Sequence, residues 1–273
     1  MTIALGTHVD QSDPIAEAIA RDISLVQIMV GDPQSWKKPE VTYPGGPEAL
    51  GQAAADAGVE IVIHAAYLIN VASPNNRIRI PSRRLLQSTL DLAHVIGAKG
   101  VVVHGGHVTA DNDPMDGYAN WLKAVDSLKP SCPIWIENTA GGKKAMCRYL
   151  DSIEQLWTHI SRSDNIESVG FCLDTCHAFA AGLSMESVVD DIYSITGRID
   201  LVHLNDSQGE AGSGRDRHAN LGEGKIDPND LVSIVQKASA DVILETPGDA
   251  EMHRRDLEWI ASRSEVIHKK ATS

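Results

Sequence analysis

Eight short runs rich in Val, Ile and Leu punctuate the chain, at 3–9, 23–30, 60–65, 99–106, 132–138, 168–175, 198–206 and 241–246. They are near-continuous rather than alternating, the pattern of parallel strands covered on both faces. Most of the intervening stretches change to helical spacing. Over 82–97, Ser82 can cap, Gly97 can terminate, and Leu86, Leu90 and Ala93 fall on one face. Asp227-Pro228 supplies a cap followed by proline at the first helical position. Eight strands alternating with helices in about 250 residues predict an α/β protein, a (β/α)8 TIM barrel. We expect a single domain over 1–262 and a loose tail over 263–273.

The strand ends share one chemistry. The third run ends in His64, the fourth in His104, the fifth in Glu137, the sixth in Asp174, the seventh in His203 and the eighth in Glu245. The C-terminal rim of such a barrel is where active sites are built. His177, in LDTCH, lies three residues beyond Asp174. The polar segment 203–224 adds Asp216 and His218, two apart, so that an extended backbone points both side chains the same way. One such residue is commonly a rim polar group satisfied by hydrogen bonds. Nine at one mouth are the donor types of a zinc site.

Composition narrows the picture. The 273 residues suffice for a large core, and no run approaches a membrane span, so a cytoplasmic protein is expected. A net charge of −13 argues against bulk nucleic-acid binding through a basic face and leaves local patches. Cys132, Cys147, Cys172 and Cys176 read as free thiols rather than disulfides or zinc thiolates. His8 and His107 lie near strand ends and are candidates for holding a ligand in place or touching substrate.

GFCLDTCHAFAAG (170–182), HLNDS (203–207), DRHANLGEG (216–224), IENTAG (136–141) and ILET (243–246) together resemble the endonuclease IV family, over about residues 3–260. That resemblance implies a TIM barrel with three zinc ions that repairs DNA. The reaction implied is hydrolysis of the phosphodiester 5′ to an abasic site, leaving a 3′-hydroxyl and a 5′-deoxyribose phosphate, with removal of 3′-blocking groups as a second activity. Carried over by position, His64, His104 and Glu137 would hold the first zinc. Glu137 would bridge to a second zinc held by Asp174, His203 and Glu245, and His177, Asp216 and His218 would hold the third. Glu137 and Glu245 would be the catalytic carboxylates, Glu245 also orienting the attacking group.

Double-stranded DNA with abasic sites or 3′-blocked ends is then the implied partner, and a monomer is expected. Tyr67 matches a DNA-facing tyrosine of the family, and NNRIRIPSRR (75–84) brings Arg77 and Arg79 to the active face, for phosphate contact or merely as a solvated helix start. Two DNA-facing loops depart from the family pattern, HVDQSDP (8–14) and GDPQSW (31–36). In the second, Gln34 stands where an arginine is usual, so Gln34 is expected as the wedge beside the lesion, with Trp36 packed beneath it as core. The rival readings are a xylose-isomerase-like sugar isomerase or epimerase, which needs no third metal, and a DNA-damage binder without catalysis, which would have lost ligands.

Overall fold

The computed structural model describes residues 3–264. Eight parallel strands close into a barrel: β1 (Leu5–His8), β2 (Leu25–Met29), β3 (Glu60–His64), β4 (Val101–His104), β5 (Ile134–Glu137), β6 (Val169–Asp174), β7 (Leu201–His203) and β10 (Asp241–Leu244). Each of the eight apolar runs contains one of them. The expected single-domain barrel is therefore the architecture. An antiparallel pair, β8 (Asp206–Ser207) and β9 (His218–Ala219), ties off the long loop after β7. The helices around the barrel are α1 (Pro14–Arg21), α2 (Gly46–Ala57), α3 (Asn76–Ile96), α4 (Pro114–Ser127), α5 (Leu150–Ile160), α6 (Thr175–Ala181), α7 (Val188–Thr196), α8 (Pro228–Ala238) and α9 (Ala250–Ala261). Among the described residues, no helix is long and apolar enough to cross a membrane.

The helix punctuation is mostly as expected. Asp227 accepts from the Asn229 amide ahead of Pro228 in α8, and Gly97 ends α3 in the left-handed region at φ 77°. The start of α3 is a correction. Ser82 is not its cap: Asn75 is, and the helix runs through Pro81. Proline removes a hydrogen bond to the Arg77 carbonyl, but this happens in exposed first turns, where water can substitute. Ser82 is buried instead, its hydroxyl accepting from the Asn70 amide at 2.9 Å. Of the expected tail, residues 265–273 lie outside the described residues, and Ser264 is buried with its hydroxyl donating to the Ile260 carbonyl.

Two apolar layers form. The larger packs the helices on the outside of the barrel. The smaller contains Leu25, Val62, Val102, Trp135, Cys172, Leu201 and Ile243, with Ala4. Strand side chains alternate with period two, so the next residue on the same face of each strand is, in turn, Gln27, His64, His104, Glu137, Asp174, His203 and Glu245. The polar site is thus a second storey built on the apolar plug of the barrel.

Candidate metal centre

In that upper storey register does the assembling. His104 pairs with Glu137, and Asp174 with His203, in adjacent strands. Glu137 is fully buried beneath imidazoles: His64 Nε2 and His104 Nε2 lie 3.2 Å from Oε2, and His203 Nδ1 lies 3.1 Å from Oε1. His203 Nδ1 is also 3.4 Å from Glu245 Oε2. Asp174 caps α6, accepting from the His177 amide at 2.6 Å, and so turns the chain to bring His177 inward. His177 Nε2 meets Asp216 Oδ2 at 3.2 Å, and His218 Nε2 meets Asp216 Oδ1 at 3.1 Å. All nine residues expected from sequence are therefore brought together, in overlapping groups: His64, His104 and Glu137; Glu137, Asp174, His203 and Glu245; and Asp174, His177 and His218, joined by Asp216.

The loop carrying Asp216 and His218 is fixed by another carboxylate. Asp206, fully buried, accepts from the amides of Ser207, Gly222, Gly224 and Ile226. The same loop docks on α6, where the Gly212 amide donates to the Phe179 carbonyl and the Gly214 amide to the Ala180 carbonyl. Two buried asparagines brace this cluster. Asn205 Nδ2 donates to Asp174 Oδ2 at 2.7 Å while its Oδ1 accepts from the Glu245 amide, and Asn138 holds both the amide and the carbonyl of Asp174.

The residues fit divalent cations. Burial of this many ionisable groups is costly unless they are paired or coordinated. Without cations the cluster would hold protons. Burial alone would raise the Glu137 carboxyl, but His104 and His203 keep it well below the usual range. Burial likewise opposes a rise of His177, but Asp174 and Asp216 carry it well above its usual value. His218 Nε2 is a buried atom with no aligned hydrogen-bond partner despite the nearby Asp216 oxygen. Nitrogen and carboxylate oxygen donors are what zinc takes. Cys176 Sγ also lies near Asp216 and His218, but burial pushes its thiol up to about 12. All four cysteines are buried and free.

The other expected residues fall around this centre. Tyr67, 56% exposed, tilts over it with ring centroids 5.4 Å from His64 and 5.8 Å from His104. Beside them opens a cavity of about 440 Å³ whose wall includes Trp36, Tyr67, Ile78, His104 and His107. Trp36 corrects an expectation: it is 48% exposed at that mouth, not core. The loop is too rich in proline and polar residues to bury a ring, and it folds over an aspartate turn in which Asp32 accepts from the Gln34 amide. Gln34 and Arg77 are both exposed. Arg79 is committed to its own helix start, donating to the Ser73 and Pro74 carbonyls and to Asn76 Oδ1. His8 Nδ1 stands 3.8 Å from Glu245, and burial lowers its imidazole to about 4 despite that carboxylate. His107 sits on the cavity wall, braced by Asn70. Reading strand ends alone overlooked Asn138, Asn205 and Gln27. A polar residue inside an apolar run, as in LVQIMV, was the available signal for the last.

Comparison with known proteins agrees with this arrangement. A family model described as a xylose isomerase-like TIM barrel matches residues 15–263. A probable endonuclease 4 of Mycobacterium marinum is 52% identical over 252 residues, 92% of this chain and 95% of that protein. The solved structure of endonuclease IV from Thermus thermophilus superposes with a TM-score of 0.80 at 30% identity, over 95% of this chain and 98% of that one. A D-tagatose 3-epimerase-like protein shares the fold, with a TM-score of 0.76 at 19% identity over 96% of this chain and 97% of that one.

Proposed function

Because the chain belongs to the endonuclease IV family, we propose that it is a zinc-dependent DNA-repair nuclease that hydrolyses the phosphodiester 5′ to an abasic site. The observation that carries this reading is the meeting of nine donor side chains in overlapping groups at the barrel mouth. Isomerases and epimerases of this fold need no third group, and here His177, Asp216 and His218 supply one. All nine donors are intact, which argues against a binder that has lost its chemistry.

When bound, three zinc ions would neutralise the phosphate oxygens and make water nucleophilic at neutral pH. The chain's own residues arrange the rest. Glu137, shared between the first two groups, fixes their separation from a fully buried position. Glu245 has its side chain 14% exposed, so it faces the substrate side, where it accepts a hydrogen from the attacking water. A bond forms between the water oxygen and phosphorus, the bond from phosphorus to the 3′-oxygen breaks, and the leaving oxygen takes up a proton to balance the one the water gives up. The products are a 3′-hydroxyl and a 5′-deoxyribose phosphate. Removal of 3′-blocking groups uses the same centre. Tyr67 and Trp36, which line the cavity beside the centre, would meet the duplex with Gln34 of the same loop as Trp36, and the exposed Arg77 would meet its phosphates, so partner recognition is local despite the charge of −13.

The test is incubation of the purified protein with a duplex carrying one abasic site, with and without chelator. We expect cleavage that leaves a polymerase-extendable 3′ end and that chelator abolishes. Intact duplex, or a blocked 3′ end, would overturn the assignment.

A further inference from the structure

Seven strands place a residue in the storey directly above the apolar plug, and six of these residues are the metal-type donors His64, His104, Glu137, Asp174, His203 and Glu245. The seventh is Gln27, on β2, which is fully buried. Its amide touches two of the other six. Nε2 donates to Glu245 Oε1 at 2.6 Å, and Oε1 lies 2.8 Å from His203 Nε2. The remaining amide hydrogen points to His8 Nδ1 at 3.1 Å.

We propose that Gln27 is a positioning residue of the metal centre, one that selects the ring nitrogen His203 offers and aims the Glu245 carboxylate. The inference rests on the metal-dependent reading above. Its logic is a chain of polarities. An ionised carboxylate only accepts, so the amide edge facing Glu245 is the NH2 group. The carbonyl edge therefore faces His203, and His203 Nε2 must carry the hydrogen. A neutral imidazole then has its lone pair on Nδ1, the atom lying 3.1 Å from Glu137 Oε1 and 3.4 Å from Glu245 Oε2.

The neighbouring histidines are set differently. Nδ1 of His64, His177 and His218 donates to the backbone carbonyls of Ala65, Asn138 and Glu245, leaving Nε2 for the site. Those anchors come from the main chain and survive any side-chain substitution at the carbonyl residues. His203 depends on one side chain from across the barrel. Glutamine is specified there, because glutamate could accept from His203 but not donate to Glu245, and methionine could do neither.

Two measurements test this. Long-range nitrogen–proton NMR on zinc-loaded protein labelled at histidine reads the tautomer of His203, its signals identified by their loss in His203→Gln. Hydrogen on Nε2 is expected, and hydrogen on Nδ1 would overturn the proposal without any variant at Gln27 having to fold. Zinc content and release to a chromophoric chelator are then compared between wild type, Gln27→Met and Gln27→Glu, with metal-free melting temperatures as the fold control. Gln27→Met should bind one zinc about 10–100-fold more weakly, the usual cost of losing a partner that orients a ligand. Gln27→Glu should keep the Nε2 hydrogen on His203 while still losing zinc affinity. Zinc retention by Gln27→Met equal to wild type would overturn the role. A wild-type chain that takes up no zinc would overturn the metal reading itself, and this inference with it.

Discussion

The buried imidazole of His177 and the half-exposed carboxylate of Asp216 face each other across 3.2 Å, although one lies at the start of α6 and the other in the loop after β7. That contact closes the third donor group. Replacing Asp216 with asparagine keeps the shape and removes the charge. Asp216→Asn should release one zinc of three while the metal-free fold melts as before. Elemental analysis showing full metal content would refute a ligand role for Asp216.

Glu137 sits where two donor groups overlap, so its loss should uncouple them. We expect Glu137→Ala to cut cleavage of an abasic duplex by about 100-fold or more, with the barrel still folded because its apolar layers are independent of the site. A near-normal rate would end the bridging assignment.

Stability of the metal-free protein should depend on pH through His218. Burial alone would lower its pKa, but Asp216, Asp174 and Glu245 outweigh burial and raise it to about 9. A folded-state pKa above the ordinary 6.5 contributes stability that is fully present below pH 6.5 and is lost as pH rises through 9. Across that window, chelated wild type should therefore lose more melting temperature than chelated His218→Gln. Zinc binds the neutral ring, so the loaded protein should lack this loss. Equal pH slopes for the two chelated proteins would refute it.

Arg77 and Arg79 are two residues apart and should behave differently. Arg77 is exposed, and Arg77→Ala should lower the log–log salt slope of DNA binding by about one unit if it meets one phosphate. Arg79 holds the Ser73 and Pro74 carbonyls, so Arg79→Ala should cost about 1–3 kcal/mol of stability and leave the salt slope alone. Titrations across a salt series, alongside denaturant melts, separate them, and a reversed pattern would exchange their roles.

The entrance loop gives the converse experiment. Gln34→Arg should tighten binding to abasic duplex and steepen its salt dependence by about one unit. Gln34→Ala should weaken binding while leaving cleavage in the bound complex nearly intact. Trp36→Ala should cost about 1–3 kcal/mol of binding if the ring stacks on a base. Binding by all three that tracks the parent would remove this loop from the interface.

The donor set was legible in sequence because β-strand periodicity and barrel topology are blunt rules. A strand that buries Val62 on the lumen must put His64 above it, and the same holds for Trp135 and Glu137. What escaped depended on partners rather than pattern. Gln27 looked like one polar residue in an apolar run until His203 and Glu245 were seen on either side of it. Ser82 looked like the cap of a helix over 82–97, yet α3 begins at Asn76 and passes through Pro81, because the lost hydrogen bond falls on exposed turns and the buried face of Leu85, Leu86 and Leu90 holds the helix regardless. Trp36 looked like core because large rings are usually buried, and nothing in a linear reading shows which face of a loop the barrel leaves open.

The docking of the loop after β7 has a further consequence for how this protein tolerates change. Its backbone passes so close to the segment after β5 that a methyl group on Gly141 would lie 2.8 Å from the Gly214 carbonyl oxygen, and Gly214 itself holds φ 67°. Neither glycine has a side chain to offer a metal or a substrate. Yet an alanine at either would push aside the stretch that carries Asp216 and His218. Positions with no side chain at all are therefore among those this chain cannot change freely, because fragility there comes from space that must stay empty.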